Sequence, residues 1–308
     1  MMCVAGHSVL RRLWLLPVLG VAFSSCSGPE SAPPDAAGET RQTAAATGGS
    51  GVADDATEPA VLPPDVRGAE DLPEPGACVV VDQSSFDSVG CSRPHTLEVA
   101  QVLELPDDLP RQRPDDQQLL SLSLTQCGEP AAEYLGSTDM DATRLAPWTV
   151  WPSKTGWARG ERWLVCGVTE LDGAEPVERT GSLRGALVGE PFYEFQICTE
   201  GPPSEESIRI VPCDQPHRGE AVPGTVPLGS PMDQLPDSSD IDEVASPHCA
   251  VAVENYLGIS ERADVRTVRR IPTEQGWQAG HNSAVCYVET EQPVTGTLLG
   301  IGDRPLPV

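Results

Sequence analysis

Lysine is almost missing from this chain. Lys154 stands alone among 20 basic residues, against 46 carboxylates, and the net charge is −26. A surface so acidic repels nucleic acid and anionic lipid head groups, which disfavours a nucleic-acid role. Aromatic residues are also scarce, at 5%, so any aromatic that recurs in a pattern carries weight. No apolar run is long enough for a permanent membrane span. The longest candidate, Leu13 to Phe23, would reach about 16 Å as a helix at ~1.5 Å per residue, roughly half of a ~30 Å hydrocarbon core. There is no C-x-x-C pair, nucleophile elbow, phosphate-cradling glycine loop or metallopeptidase helix motif. No enzyme class is therefore identified, and no cofactor is implied.

What is present begins with an export signal. Arg11 and Arg12 precede the apolar stretch, and Ser24-Ser25-Cys26 follow it, which is the layout of a signal peptide over residues 1–25. The residues before Cys26 resemble a bacterial lipoprotein box, with Phe23 where leucine is usual. Cys26 is then the expected lipidation site and would anchor the chain on the outer face of the cell membrane. Loss of the leader's two arginines would take the charge from −26 to −28. Residues 26–76 are Ala, Gly, Pro, Ser, Thr, Asp and Glu with few large apolar side chains, too little to offset the entropy of ordering. They read as a disordered tether whose root-mean-square span is about 40 Å at ~5 to 6 Å times the square root of length.

Ten cysteines are too many for a reducing compartment unless they hold metal, and an exported chain oxidises them. Setting aside Cys3 in the leader and Cys26 leaves an even set: Cys78, Cys91, Cys127, Cys166, Cys198, Cys213, Cys249 and Cys286. These fall into two series. Cys91-x-x-Pro94-His95-x-x-Glu98 returns 122 positions later as Cys213-x-x-Pro216-His217-x-x-Glu220. Cys127 with Tyr134-Leu135-Gly136 returns at the same offset as Cys249 with Tyr256-Leu257-Gly258. Pro152, Gly156, Trp157, Gly160 and Cys166 return at 120 as Pro272, Gly276, Trp277, Gly280 and Cys286, and Thr180-Gly181-x-Leu183-x-Gly185 at 115 as Thr295-Gly296-x-Leu298-x-Gly300. Such recurrence of rare residue types in one order signals duplication.

The expected fold is α+β, with two tandem disulfide-linked domains at 77–190 and 191–308, each a small antiparallel sheet with one main helix. Each copy should open with a hairpin, Cys78–Val81 with Val89–Cys91, and Phe195–Cys198 with Ile208–Val211. A strand follows at His95–Leu105 and, as an edge strand because of Pro223 and Pro227, at His217–Leu228. Cys127, Ala131, Tyr134 and Leu135 share one helical face, as do Cys249, Val253, Tyr256 and Leu257. Ser246-Pro247 reads as a helix start, which would put Pro130 in a first turn. Two strands close each unit, and the Thr-Gly-x-Leu-x-Gly segment reads as a last short one. Bridges Cys78–Cys91 and Cys198–Cys213 suit the hairpins, with Cys127–Cys166 and Cys249–Cys286 completing a nested pattern, although four cysteines per copy allow three pairings.

These residues together resemble the septum-formation domain of actinobacterial envelope proteins, whose pattern is a cysteine, Cys-x-x-Pro-His-x-x-Glu-Val, a helical cysteine before Tyr-Leu, a proline, Trp-x-x-Gly-x-Arg and a final cysteine. The first copy carries it as Cys78, Cys91 to Val99, Cys127, Tyr134-Leu135, Pro152, Trp157-x-x-Gly160-x-Arg162 and Cys166. In the second, Ala221 replaces the valine and Asn282 the arginine. The resemblance implies an envelope setting and a connection with septum formation.

Within that frame the candidate binding residues are His95, Glu98, Trp157, Arg162, His217, Glu220 and Trp277. A histidine with a carboxylate could do acid-base work or bind metal, yet residues three apart on a strand point to opposite faces unless a bulge intervenes. A structural histidine bonding a loop carbonyl is the simpler reading. Zinc is not expected, since oxidised cysteines offer no thiolate. An indole in G-W-x-x-G could stack on a sugar or peptide, or plug a small core at a tight turn; the plug is preferred. Trp148, Trp151 and Trp163 occur only in the first copy and make it the better candidate for a binding surface. The leading expectation is a non-catalytic envelope lipoprotein that meets an envelope protein or a cell-wall component, against a secreted hydrolase using His95 and Glu98, or a plain structural spacer.

Overall fold

A computed structural model describes residues 72–82, 85–106 and 108–308; the leader, Cys26 and most of the tether lie outside them. The first half opens with the expected hairpin. β1 (Cys78–Asp82) pairs antiparallel with β2 (Ser85–Val89), Cys78 opposite Val89. β3 (Leu97–Glu104), β4 (Leu145–Val150) and β5 (Trp163–Asp172) complete an antiparallel sheet of order β2-β1-β3-β5-β4, with the short β6 (Glu175–Pro176) on β5. The second half repeats this order. β7 (Cys198–Thr199), β8 (Ile210–Val211), β9 (His217–Ala221), β11 (Val265–Arg270) and β12 (Ser283–Val294) are arranged β8-β7-β9-β12-β11, and β10 (Val226–Pro227) adds to β12. The fold class is α+β, two antiparallel sheets cross-linked by disulfides.

Besides the short helical turns α2 (Lys154–Ala158) and α5 (Glu274–Gln278), the principal helices are α1 (Asp116–Leu135) and α4 (Ser238–Leu257), each 20 residues long. They begin earlier than the prolines suggest. Asp115 caps α1, accepting the Gln118 N–H, while the Gln118 side chain reaches back to the Asp115 N–H. That reciprocal box starts the helix well before Pro130. Leu119, Leu120 and Leu124 extend the buried stripe of Cys127, Ala131 and Tyr134 toward the N-terminus. Pro130 and Pro247 are therefore interior, not first-turn, residues. Both helices end on glycines in the left-handed region, Gly136 at φ 85° and Gly258 at φ 72°, where a Cβ would be strained.

Three further expectations change. Phe195 belongs to a helical turn, α3 (Phe192–Phe195), so the second hairpin is cut down to Cys198–Thr199 and Ile210–Val211. β9 is not an edge strand but lies between β7 and β12. Pro223 falls in the break before β10, which pairs with β12. The Thr-Gly-x-Leu-x-Gly segments are turns rather than strands, because Gly181, Gly185, Gly296 and Gly300 all adopt positive φ, outside the β region.

Four disulfides join Cys78 to Cys91, Cys127 to Cys166, Cys198 to Cys213 and Cys249 to Cys286. In each half one bridge locks the opening strands and the other ties the helix to the sheet. The halves also share a core. Leu135, Leu145 and Val168 of the first pack with Ala221, Val285 and Tyr287 of the second and with Leu187, Phe192 and Phe195 of the connecting segment. A turn at Asp139–Ala142 adds polar links. Asp139 Oδ1 accepts the N–H groups of Gly224 (3.0 Å) and Thr225 (2.8 Å) and the Thr225 hydroxyl (3.0 Å). Asp141 meets His281 Nδ1 at 3.0 Å and accepts the Ser283 N–H at 3.0 Å.

Removing the Cys249–Cys286 bridge, which closes a 37-residue separation, by double alanine substitution is expected to lower stability by about 4 kcal/mol on the chain-entropy account. Because the core is shared, the tryptophans of the first half should report the loss. Urea titration followed by tryptophan fluorescence checks this; an unmoved first-half transition would contradict it.

Candidate functional site

In each half a buried glutamate gathers four hydrogen bonds. In the first, Glu98 sits near the start of β3 with no exposure to solvent, and His95, equally buried, lies just before the strand. His95 is therefore free of the strand alternation that would have turned it away. Its Nδ1 lies 2.8 Å from the Arg93 carbonyl and its Nε2 3.2 Å from Glu98 Oε1. Three more donors converge on the same carboxylate. The Leu183 N–H donates to Oε1 at 2.7 Å, and the Tyr134 and Ser182 hydroxyls to Oε2 at 2.7 and 2.8 Å. Arg179 stands 3.7 Å from Oε1.

The second half rebuilds the site with partly different pieces. His217 Nδ1 lies 2.8 Å from the Gln215 carbonyl and Nε2 2.9 Å from Glu220 Oε1. Here the histidine is the first residue of β9, beside the point where the ladder to β12 shifts register between Glu289 and Val294. The Tyr256 hydroxyl donates to Glu220 Oε2 at 2.6 Å, and the Leu298 N–H lies 3.0 Å from both oxygens. In place of the arginine, Gln196 donates to the Tyr256 hydroxyl at 2.9 Å and to the Ala221 carbonyl at 2.6 Å.

A carbonyl and a carboxylate can only accept, so a ring facing both must donate from both nitrogens. For His217, burial pulls the pKa down, but the hydrogen bonds to Glu220 and to the Gln215 carbonyl, with the Glu220 charge, outweigh it and the net direction is upward. The pair is an imidazolium held against a carboxylate. Tyr134 is pushed up to about 12, first by burial and then by its bond to Glu98, which keeps the phenol a donor.

The tyrosines and the turn donors were not among the candidate residues. Tyr134 and Tyr256 recur at the same offset as the glutamates, and that coincidence was the available signal. Ser182-Leu183 and Thr297-Leu298 were hidden by the strand reading of their segments.

The other candidates sit elsewhere. Trp157 and Trp277 are core plugs, 2% and 1% exposed, and each indole N–H donates to a carbonyl, of Arg111 at 3.2 Å and Asp233 at 2.9 Å. Arg162 lies 3.9 Å over the Trp157 ring and donates to the carbonyls of Trp157 and Glu161. Asn282 makes the corresponding bond to the Trp277 carbonyl at 3.4 Å, so the replacement keeps the turn contact and loses the stacking. Trp148 is only partly buried, in the cluster of Val79, Leu97, Val99 and Trp163.

Cys78, His95 and Glu98 bring ligand-type atoms within 4.8 Å of one another, as do Cys198, His217 and Glu220. The sulfurs are in disulfides, and a metal takes a thiolate, not a disulfide sulfur. The carboxylates already accept several donors apiece. The arrangement suits a structural clamp.

The fold and the clamps define a class: paired, disulfide-bridged α+β halves built around a buried His-Glu-Tyr cluster. The sequence profile of a family described as septum formation matches residues 75–286, more than half of the chain and across both halves in one match. The chain belongs to the septum formation family. No curated protein and no solved structure matches it. Family membership points to a cell-division or envelope-related role, and the disulfides to an extracellular or envelope location. Among the described residues no helix is long and apolar enough to cross a membrane.

Glu98→Ala would strand three donors and a buried imidazole, and a loss of about 3 to 5 kcal/mol is expected, read as a lower urea midpoint. The raised value of His217 sets a pH dependence. Its contribution is complete below the unfolded value of about 6.5 and fades as pH rises through the higher folded value. Stability should therefore fall toward alkaline pH, and His217→Gln should flatten that part of the profile while lowering stability at acid pH. A wild-type urea midpoint that climbs with pH from neutrality upward would contradict the assignment.

Proposed function

We propose that this protein is an exported envelope lipoprotein, anchored through Cys26, whose paired halves act as a non-catalytic binding or scaffolding module in septum formation or cell-wall processes. Family membership supports the setting, and the export signal and Cys26 support the anchor. One observation carries the non-catalytic part: in both halves the groups best suited to chemistry are buried and bonded to one another. Both ring nitrogens of His95 face protein acceptors, and the two Glu98 oxygens take four hydrogen bonds, from His95, Leu183, Tyr134 and Ser182, with no exposure to solvent. A hydrolase built on His95 and Glu98 has no such support, because general acid-base work needs a group within reach of its substrate. The proposed partner is an envelope protein or a wall component, not nucleic acid.

Three measurements test this reading. Metabolic labelling with a fatty acid should mark the wild-type chain and leave Cys26→Ser unlabelled; equal labelling would dismiss the anchor. A fluorescent fusion should gather at division sites in growing cells, and an even distribution through the division cycle would count against the septal role. His95→Gln with Glu98→Gln should lower the melting temperature without changing any hydrolytic activity in an envelope-substrate screen. Loss of a measurable activity at unchanged melting temperature would favour the enzyme instead.

A further inference from the structure

The cysteine nearest each clamp is the inner end of a disulfide. Cys78 Sγ lies within 4.8 Å of a His95 ring nitrogen and a Glu98 oxygen, and Cys198 Sγ stands likewise to His217 and Glu220. Each of these sulfurs is bonded to a second one, of Cys91 or Cys213. Opening either bridge therefore leaves two thiols, an imidazole and a carboxylate at one place. The same four residue types meet in both halves, in the same order along the chain.

The surroundings are those of a metal ligand set. A ligating imidazole presents one nitrogen to the ion and donates from the other to a fixed acceptor. His95 Nδ1 faces the Arg93 carbonyl and His217 Nδ1 the Gln215 carbonyl, each at 2.8 Å, so in both rings Nε2 is the nitrogen turned to the carboxylate. A tetrahedral zinc with bonds of ~2.0 Å to nitrogen and ~2.1 Å to oxygen has an N···O edge of about 3.3 Å. The Nε2 to Oε1 separations, 3.2 Å in the first half and 2.9 Å in the second, are close to that edge. The bridges also differ in access. Both cysteines of Cys127–Cys166 and of Cys249–Cys286 are buried, whereas each hairpin bridge has one half-buried end, Cys91 or Cys213. Exchange with a thiol from solution is faster at a sulfur it can reach.

We propose that each hairpin bridge and its clamp form a redox-gated metal site. Oxidised, the four groups are a disulfide and a His-Glu pair. Reduced, Cys78, Cys91, His95 and Glu98 bind a zinc-class divalent ion, and Cys198, Cys213, His217 and Glu220 bind another. The reductant is a dithiol, which gives two electrons and two protons to each bridge and leaves as its own disulfide. The ion then displaces the two thiol protons and the proton on Nε2. The Tyr134 and Ser182 hydroxyls and the Leu183 N–H keep their bonds to Glu98 and hold the ligating carboxylate in place. Two thiolates select zinc over calcium or magnesium. The helix-to-sheet bridges stay closed, and the ion joins the same strands that the hairpin disulfide joined. The inference rests on the clamp geometry and is independent of export, lipidation and septal placement.

The test uses the full oxidised chain carrying Cys3→Ser and Cys26→Ser, which removes every cysteine outside the four bridges. It is reduced with graded amounts of a dithiol, freed of that reagent under nitrogen and titrated with cobalt(II) alone. Alkylation and peptide mapping should find Cys78, Cys91, Cys198 and Cys213 released while the other four remain bridged. This form should take up one cobalt ion per half, with the thiolate-to-cobalt charge-transfer absorption of a tetrahedral site. Zinc should displace the cobalt, bound metal should protect the four released cysteines from alkylation, and the oxidised chain should show no such absorption. His217→Gln should halve the signal and leave the first-half site as an internal record that the chain is still folded; His95→Gln should do the converse. Should either variant melt early, alkylation protection in the chain with both histidines decides. A partly reduced chain that takes up no cobalt, uptake unchanged in both histidine variants, or bridges that open in the reverse order overturns the proposal.

Discussion

A glutamate carboxylate without solvent is the constraint from which the rest of each half follows. Burying an unpartnered charge costs more than a small domain can spare, so the carboxylate must gather donors, and no single element can supply them. Glu98 takes an imidazole from its own strand entry, a phenol from α1 and a backbone N–H from the 182–183 turn. Glu220 makes the same three demands and meets them with His217, Tyr256 and Leu298. Strand, helix and closing turn are thereby fixed relative to one another. The disulfides reinforce that geometry from either side, one at the hairpin and one from helix to sheet.

The near absence of lysine has a structural counterpart. In a chain with far more acids than bases, the important carboxylates are compensated by N–H and O–H groups more than by cations. Asp139 receives two backbone amides and a hydroxyl, and Asp141 receives an amide and a histidine. Such bonds are directional and short in range, so they set position rather than merely attract. Where arginine does appear in the interior it bridges several acids at once: Arg179 lies 3.7 Å from Glu98, 3.5 Å from Glu170 and 3.8 Å from Glu194. The halves are therefore held by placed acceptors over a common apolar core.

Much of this architecture is legible in the residues alone, for a definite reason. Cysteine, tryptophan, histidine and the glycines of turns are rare types whose recurrence at nearly fixed offsets is hard to obtain by chance, and they mark the bridges, the plugs and the clamps. Less legible are features that depend on common residues. The early start of α1 rests on Asp115, Gln118 and a leucine stripe, all ordinary, and the interior Pro130 pointed the other way. The clamp turns look like strands by their Thr and Leu content until the glycine φ angles are known. The meeting of His217 with Glu220 occurs at the start of β9, where the ladder to β12 shifts register, and no spacing announces that shift. The shared core could not be read at all, since nothing in either repeat states which face meets which.

Duplication followed by unequal decoration also separates the parts that must stay from those that can change. The imidazole, carboxylate, phenol and turn amide are present twice, while the supporting group switches from Arg179 to Gln196 and the indole partner from Arg162 to Asn282. A part retained in both halves although its neighbours differ is one the fold requires. A part that differs, such as Arg179 or Arg162, is one whose contact the fold can make in another way. The imidazole, carboxylate and phenol of each half are thereby tied to one another, and it is that tie, rather than any one neighbour, that persists through the duplication.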